Sequence, residues 1–217
     1  LAGNDGNNTD PAKGGDEKGG AVDFVFPMGA QYNNNGAFCG RVAYTRDGGL
    51  SWHYSDSLIT FGNETAFEGG VSEATILERE DGTLVYYARC QSSGVDNFTI
   101  SYSLDHGVTW LTPGLTSSIY TTNTQALMMT YDFDGFDGNR LTGEPIFMWG
   151  GNNVLGGNSY MRMPLNFAVS TNGMDTFRNI QNIFSETFMD DYTYTADHYI
   201  TNPSIQQING DNMYIAY

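Results

Sequence analysis

Glu73 and Arg89 stand at the two ends of one compact pattern that has the residue types for binding an acidic ligand. Glu73 opens a predicted strand, Asp81 and Gly82 form a turn signal, and a second predicted strand ends at Arg89. A guanidinium is a planar fork that can hold a carboxylate through two parallel hydrogen bonds. Arg89 is therefore a candidate for binding a carboxylate, and Glu73 is a candidate pocket residue beside it.

Arg162 is the second candidate for the same chemistry. It precedes another predicted strand, in a chain with only 9 lysines and arginines against 25 acidic residues. Arginines near strand ends in two successive repeats would bring two guanidinium forks together. The alternative for Arg89 and Arg162 is a surface ion pair, and the alternative for Glu73 is an ordinary strand-end carboxylate.

An eight-residue motif of the form S/T-x-D-x-G-x-S/T-W recurs along the chain. Full copies occupy residues 45–52 and 103–110, and a degenerate copy at 170–177 has asparagine in place of the aspartate. The motif predicts a hairpin turn, because the aspartate can accept hydrogen bonds from backbone N–H groups of its own turn and the glycine permits a positive φ. The final aromatic residue is expected to pack into the core. The predicted structural residues are Asp47, Trp52, Asp105, Trp110, Asn172 and Phe177.

The spacing of the motif is typical of a repeat protein built from β-sheets. Copies that start at 45, 103 and 170 leave room for one four-stranded blade with its loops in each interval. Between them, short apolar segments alternate with turn residues, which predicts strands and no amphipathic helix. The predicted strands are 22–28, 38–44, 73–79, 84–89, 98–103, 126–131, 144–149, 166–170, 204–208 and 213–217.

The repeated motif resembles the Asp box of the sialidase superfamily. The resemblance implies an all-β fold, a six-bladed β-propeller, of which this chain would hold about half, roughly the third to fifth blades. Residues 21–217 would form this partial propeller. Residues 1–20, which are rich in Gly, Asn and Asp, are expected to be a flexible loop or linker because they cannot bury enough apolar surface to order themselves. The remaining blades would be supplied by the rest of the parent polypeptide.

The resemblance also implies roles for individual residues. Glu73 matches the glutamate that assists a tyrosine nucleophile, and Arg89 and Arg162 match two of the three arginines that bind the substrate carboxylate. The nucleophile position reads Asn202, and an amide cannot form a covalent glycosyl intermediate. Tyr199 is the first alternative nucleophile. The first arginine of the triad and the acid/base aspartate have no match in this chain.

Three functions follow as hypotheses. The first is a sialidase-like glycoside hydrolase that acts on terminal carboxylated sugars of glycans. The second is a non-catalytic carbohydrate-binding or structural extracellular propeller, because Asn202 replaces the tyrosine. The third is another reaction on acidic polysaccharides, such as a lyase in which a tyrosine or histidine removes a proton. Each implies a partner with an acidic sugar, and the resemblance implies a secreted or cell-surface protein.

Composition excludes other classes of partner. A formal net charge of -16 disfavours nucleic acid, because nucleic-acid binders need clustered Lys and Arg. No apolar run approaches the roughly 20 residues of a membrane span.

No cofactor is expected, although Asp132, Asp134 and Asp137 have the oxygen-rich composition of a calcium loop. An Asp-Gly hairpin turn is the alternative there. Cys39 and Cys90 either form one disulfide or remain as two buried thiols.

Overall fold

The computed structural model describes residues 24–32, 38–60, 70–79, 81–90, 97–120, 126–134, 140–150, 165–170, 172, 174–184, 204–209 and 212–216. Across these residues the chain forms strands and no helix, so the predicted all-β class is confirmed. The strands are β1 (Phe24–Tyr32), β2 (Phe38–Thr45), β3 (His53–Tyr54), β4 (Val71–Glu78), β5 (Leu84–Cys90), β6 (Asn97–Ser103), β7 (Gly114–Tyr120), β8 (Ala126–Asp134), β9 (Arg140–Gly150), β10 (Leu165–Val169), β11 (Arg178–Phe184), β12 (Ser204–Asn209) and β13 (Asn212–Ala216).

The strands form four sheets in which neighbours in sequence are neighbours in space. Their orders are β1-β2-β3, β4-β5-β6-β7, β11-β10-β9-β8 and β12-β13. Pairing within the sheets is antiparallel, as short connections between consecutive strands require. The chain divides into two compact units, one containing 1–93 and 99–114 and the other containing 94–98 and 115–217.

All ten predicted strands are present, with ends that differ by a few residues. The three strands that the sequence did not predict are β3, β7 and β11, and each is an outermost strand of its sheet. In each case a copy of the eight-residue motif lies immediately before, or a few residues before, this outer strand. The motif therefore connects the last two strands of a sheet.

The two full copies of the motif share one hydrogen-bonded turn. Asp47 accepts hydrogen bonds from the Ser51 amide at 2.8 Å and the Ser51 hydroxyl at 2.6 Å, and Asp105 accepts the same bonds from Thr109 at 2.8 and 2.6 Å. The indole of Trp52 donates to the Gly49 carbonyl at 3.1 Å. These contacts satisfy the carboxylate within its own turn, which is the arrangement expected of a structural motif.

The third copy keeps the turn with different chemistry. The Asn172 side-chain oxygen accepts from the Thr176 amide at 2.9 Å, while its amide nitrogen donates to the Thr176 hydroxyl at 2.8 Å. The direction of the second bond is therefore reversed relative to the aspartate copies. Met174 has φ 79 at the position where Gly107 has φ 93, so the left-handed backbone is retained without glycine.

The aromatic residues at the ends of the copies are not equally buried. Trp110 is 7% exposed, and its ring meets Tyr86 edge to face with centroids 5.5 Å apart. Trp52 and Phe177 are only half-buried. Of the three residues that end the motif copies, only Trp110 is buried in the core as expected.

Replacing Asp47 by asparagine is expected to remove a pH-dependent part of the stability. Hydrogen bonds from Ser51 and Thr45 lower the pKa of Asp47 from 3.8 to about 2. Because the folded pKa is the lower one, this carboxylate stabilises the fold fully above its ordinary pKa, and the stabilisation is lost as the pH falls through about 2. Urea midpoints of the wild type and D47N should differ at pH 6 and converge near pH 2. An equal difference at both pH values would contradict this.

The core of the first unit lies between its two sheets. It consists of buried side chains from both sheets and from the second motif copy, namely Val42, Ile59, Val71, Leu84, Tyr86, Ala88 and Trp110. Backbone contacts join the same two sheets at both ends. At one end Phe38 forms a parallel bridge with Gly70, and at the other the Asp56 amide donates to the Val108 carbonyl at 2.8 Å. The Trp110 amide also donates to the Ser57 hydroxyl at 2.9 Å.

Candidate functional site

Glu73 lies opposite Arg89 on the neighbouring strand, beside a β-bulge. Val71 pairs with Cys90 and Ala74 pairs with Ala88, so two residues of β4, Ser72 and Glu73, face the single residue Arg89 of β5. A bulge adds a residue to one strand and turns its side chains away from regular alternation. Glu73 follows the same register that pairs Ala74 with Ala88, and the bulge adds Ser72 beside it.

Glu73 and Arg89 form an ion pair. Arg89 Nη1 donates to Glu73 Oε2 at 3.0 Å, and the side chains are 14% exposed for Arg89 and 43% exposed for Glu73. An arginine this far from water needs an anionic partner, because burying an unpaired charge is costly. Glu73 supplies that partner while keeping much of its own side chain in solvent.

The ion pair lies on the face of the second sheet that turns away from the first sheet. Leu84, Tyr86 and Ala88 belong to the core between the two sheets, and side chains alternate along a strand, so Arg89 points to the other face. The pair also lies at the end of the sheet remote from the second motif copy. Ala88 pairs with Thr99 at the start of β6, whereas Leu84 pairs with Ser103 at its end, where the motif begins.

The structure brings together two of the candidate site residues. Arg162, Tyr199 and Asn202 lie outside the described residues, so their predicted roles stay predictions.

Asp132 and Asp134 lie on β8, and Asp137 lies outside the described residues. β8 and β9 are consecutive antiparallel strands in which Asp134 pairs with Arg140. Residues 135–139 between them lie outside the described residues, so the calcium loop and the Asp-Gly turn both stay predictions. Among the described residues no group of three or more His, Cys, Asp or Glu could hold a metal ion.

Cys39 and Cys90 are both free and buried. Phe38 bridges Gly70 and Val71 pairs with Cys90, so β4 runs between the strands that carry the two cysteines. Burial raises the pKa of Cys39, and the charge of Arg41 opposes this rise in part. The second alternative, two buried thiols, describes the structure.

Gly70 lies next to the site, in close contact with the first sheet, and was not identified from the sequence. It has φ 105 and lies directly against the carbonyl of Phe38, at the residue before β4 begins and three residues before Glu73. A Cβ at this residue would overlap that carbonyl oxygen. The signal in the sequence was the pair Gly69-Gly70 before an apolar run, since glycine near a strand marks a close approach of backbones or a bulge.

The chain is similar to several solved structures. One is a protein of unknown function from Dyadobacter fermentans, with a TM-score of 0.55 and 15% identity over 88% of this chain and 44% of that one. Another is a variant of the NanB sialidase from Streptococcus pneumoniae, with a TM-score of 0.50 and 18% identity over 74% of this chain and 22% of that one. A sialidase from Trypanosoma rangeli matches with a TM-score of 0.48 and 21% identity over 68% of this chain and 22% of that one.

These similarities show a sialidase-like fold. The chain spans less than half the length of each of these solved chains. No protein-family model matches it, and a search of curated proteins finds no significant match. None of the described residues forms a helix long and apolar enough to cross a membrane.

Proposed function

We propose that the protein is a sialidase-like glycoside hydrolase that acts on terminal carboxylated sugars of glycans. The observation that carries the proposal is the pairing of Arg89 with Glu73 at a β-bulge, on a fold that is sialidase-like. Arg89 lies on β5 between the buried residues Ala88 and Cys90, so the strand holds its guanidinium in position to receive an acidic ligand.

The chemical roles follow from the residue types. Arg89 binds the sugar carboxylate, and Arg162 supplies a second guanidinium. A 14% exposed arginine interacts more strongly with an anion than a solvated one does, because less water screens the charges. Glu73 is the acid/base partner of the nucleophile, for which Tyr199 is the first candidate. The complete site would belong to a six-bladed, extracellular propeller whose other blades come from the rest of the polypeptide.

The second candidate function is a glycan-binding or structural propeller without turnover. It is favoured by Asn202 at the position where the resemblance implies the tyrosine nucleophile. In that protein Arg89 would still recognise the carboxylate, because binding needs the guanidinium and not the nucleophile.

Replacing Arg89 by lysine tests the proposal. We expect the affinity of the purified protein for sialyllactose to fall about tenfold to a hundredfold, because lysine retains the charge but not the planar fork and a charged hydrogen bond contributes about 1.5–3 kcal/mol. Titration calorimetry measures the change. Arg46→Lys is the matched control, since Arg46 lies in the first motif copy with its guanidinium 5.7 Å from the Tyr44 ring. That variant should bind as the wild type does.

The outcomes separate the two candidates. Binding that depends on Arg89, together with release of a fluorophore from a fluorogenic sialoside, supports the hydrolase. Binding that depends on Arg89 without turnover supports the binding protein. If the protein does not bind sialyllactose, or if R89K binds it as tightly as the wild type, the proposal is wrong.

A further inference from the structure

We infer that Glu73 acts as a built-in competitor of the ligand carboxylate, so that an acidic sugar must displace it from Arg89 to bind. This inference rests on the proposed function and concerns the regulation of the same site. It starts from the ion pair between Arg89 Nη1 and Glu73 Oε2 at 3.0 Å. In the empty site, a carboxylate of the protein already accepts a hydrogen bond from Nη1 of the guanidinium that would hold the carboxylate of the ligand.

The two partners differ in their freedom to move. Arg89 is 14% exposed and lies on β5 between the buried residues Ala88 and Cys90, so its position is set by packing. Glu73 is 43% exposed and lies in the bulge, where regular pairing is interrupted. Swinging Glu73 into solvent costs little packing, whereas moving Arg89 would disturb the strand. Glu73 is therefore the partner that yields when a ligand arrives.

The charge of Glu73 opposes binding of an anion in two ways. It reduces the net positive charge at Arg89, and it places a like charge within a few ångströms of the incoming carboxylate. Glutamine at the same position keeps an oxygen that can accept the hydrogen bond from Arg89 but removes both effects. Glu73 therefore lowers the affinity of the site for acidic ligands and leaves the affinity for neutral ligands unchanged.

The test compares Glu73→Gln with the wild type, using the methyl glycoside of N-acetylneuraminic acid and its methyl ester as probes. We expect E73Q to bind the acid about tenfold more tightly, which corresponds to about 1.4 kcal/mol, and to bind the ester as the wild type does. Glu78→Gln is the matched control, because Glu78 lies on the same strand, is exposed, and pairs with Leu84 at the opposite end. It should change neither affinity.

The possible results distinguish the inference about Glu73 from the proposed function. If the wild type binds the acid and E73Q binds it equally or more weakly, this inference is wrong while the proposed function stands. If neither protein binds the acid, both are wrong. A parallel gain for acid and ester would indicate a structural effect and would also overturn the inference. Should E73Q not fold, Glu73→Asp serves instead, because a shorter side chain withdraws the carboxylate from Arg89 and should give a smaller gain for the acid alone.

Discussion

Replacing Gly70 by alanine is expected to destabilise the protein by about 3 kcal/mol or more. Two penalties add at this residue. Its φ of 105 is a conformation that residues with a side chain rarely adopt, and a Cβ would overlap the carbonyl oxygen of Phe38. Because the obstacle is backbone and not a flexible side chain, the clash is relieved only by separating β4 from the first sheet. The urea midpoint should fall accordingly.

Gly82→Ala is the matched control for the Gly70 variant. Gly82 has φ 83, and the nearest atom to its Cβ would be His106 Cε1 at 3.8 Å, so this substitution incurs the backbone strain without the clash. We expect it to cost about 1 kcal/mol. If the two variants were equally stable, the close approach of Gly70 to Phe38 would contribute nothing.

Replacing Gly40 by alanine is expected to cost about 2 kcal/mol, and Tyr86→Phe should recover part of that loss. A Cβ at Gly40 would overlap the Tyr86 hydroxyl and lie 2.9 Å from the ring carbon that carries it. The hydroxyl is buried and has no hydrogen-bond partner among the described residues, and burial raises its pKa. Removing it therefore sacrifices no bond and opens space above residue 40.

A double-mutant cycle measures this coupling. In the Y86F background the cost of G40A should fall to about half, because the oxygen is gone and the ring remains. Y86F alone should be as stable as the wild type or slightly more stable. An identical cost of G40A in both backgrounds would show that the strain at Gly40 arises elsewhere.

The strands were predictable where the burial pattern is strong and were missed where it is weak. β2, β5 and β10 are central strands with long buried runs, and the sequence shows them as apolar segments. β7 and β11 are outer strands with the sequences GLTSSIY and RNIQNIF, in which polar residues interrupt the apolar pattern. An outer strand has a neighbour on one side only, so its composition is less constrained by packing.

The residue types and the pairing of the candidate site were predictable from the sequence, but the bulge beside the pair was not. The spacing of Glu73 and Arg89 around an Asp-Gly turn indicated two paired strands, and the pair at 3.0 Å agrees with that pairing. Regular pairing counted from the turn puts Glu73 opposite Arg89, but it gives no sign of the bulge that adds Ser72 beside them. The neighbouring contact of Gly70 with Phe38 was not predictable either, because it joins segments distant in sequence and leaves no local periodicity.

The hydrogen bonds that join the first two sheets suggest how a chain of this kind can lengthen by gene duplication. Both partners of one such hydrogen bond lie within the repeating segments, because Trp110, at the end of the second motif copy, donates to Ser57, which follows the first copy. A duplicated segment would therefore inherit both halves of its connection to its neighbours, with no need for a new interface to evolve first. Substitutions in the loops at the Arg89 end would leave the hydrogen bonds that join the first two sheets at the motif end in place.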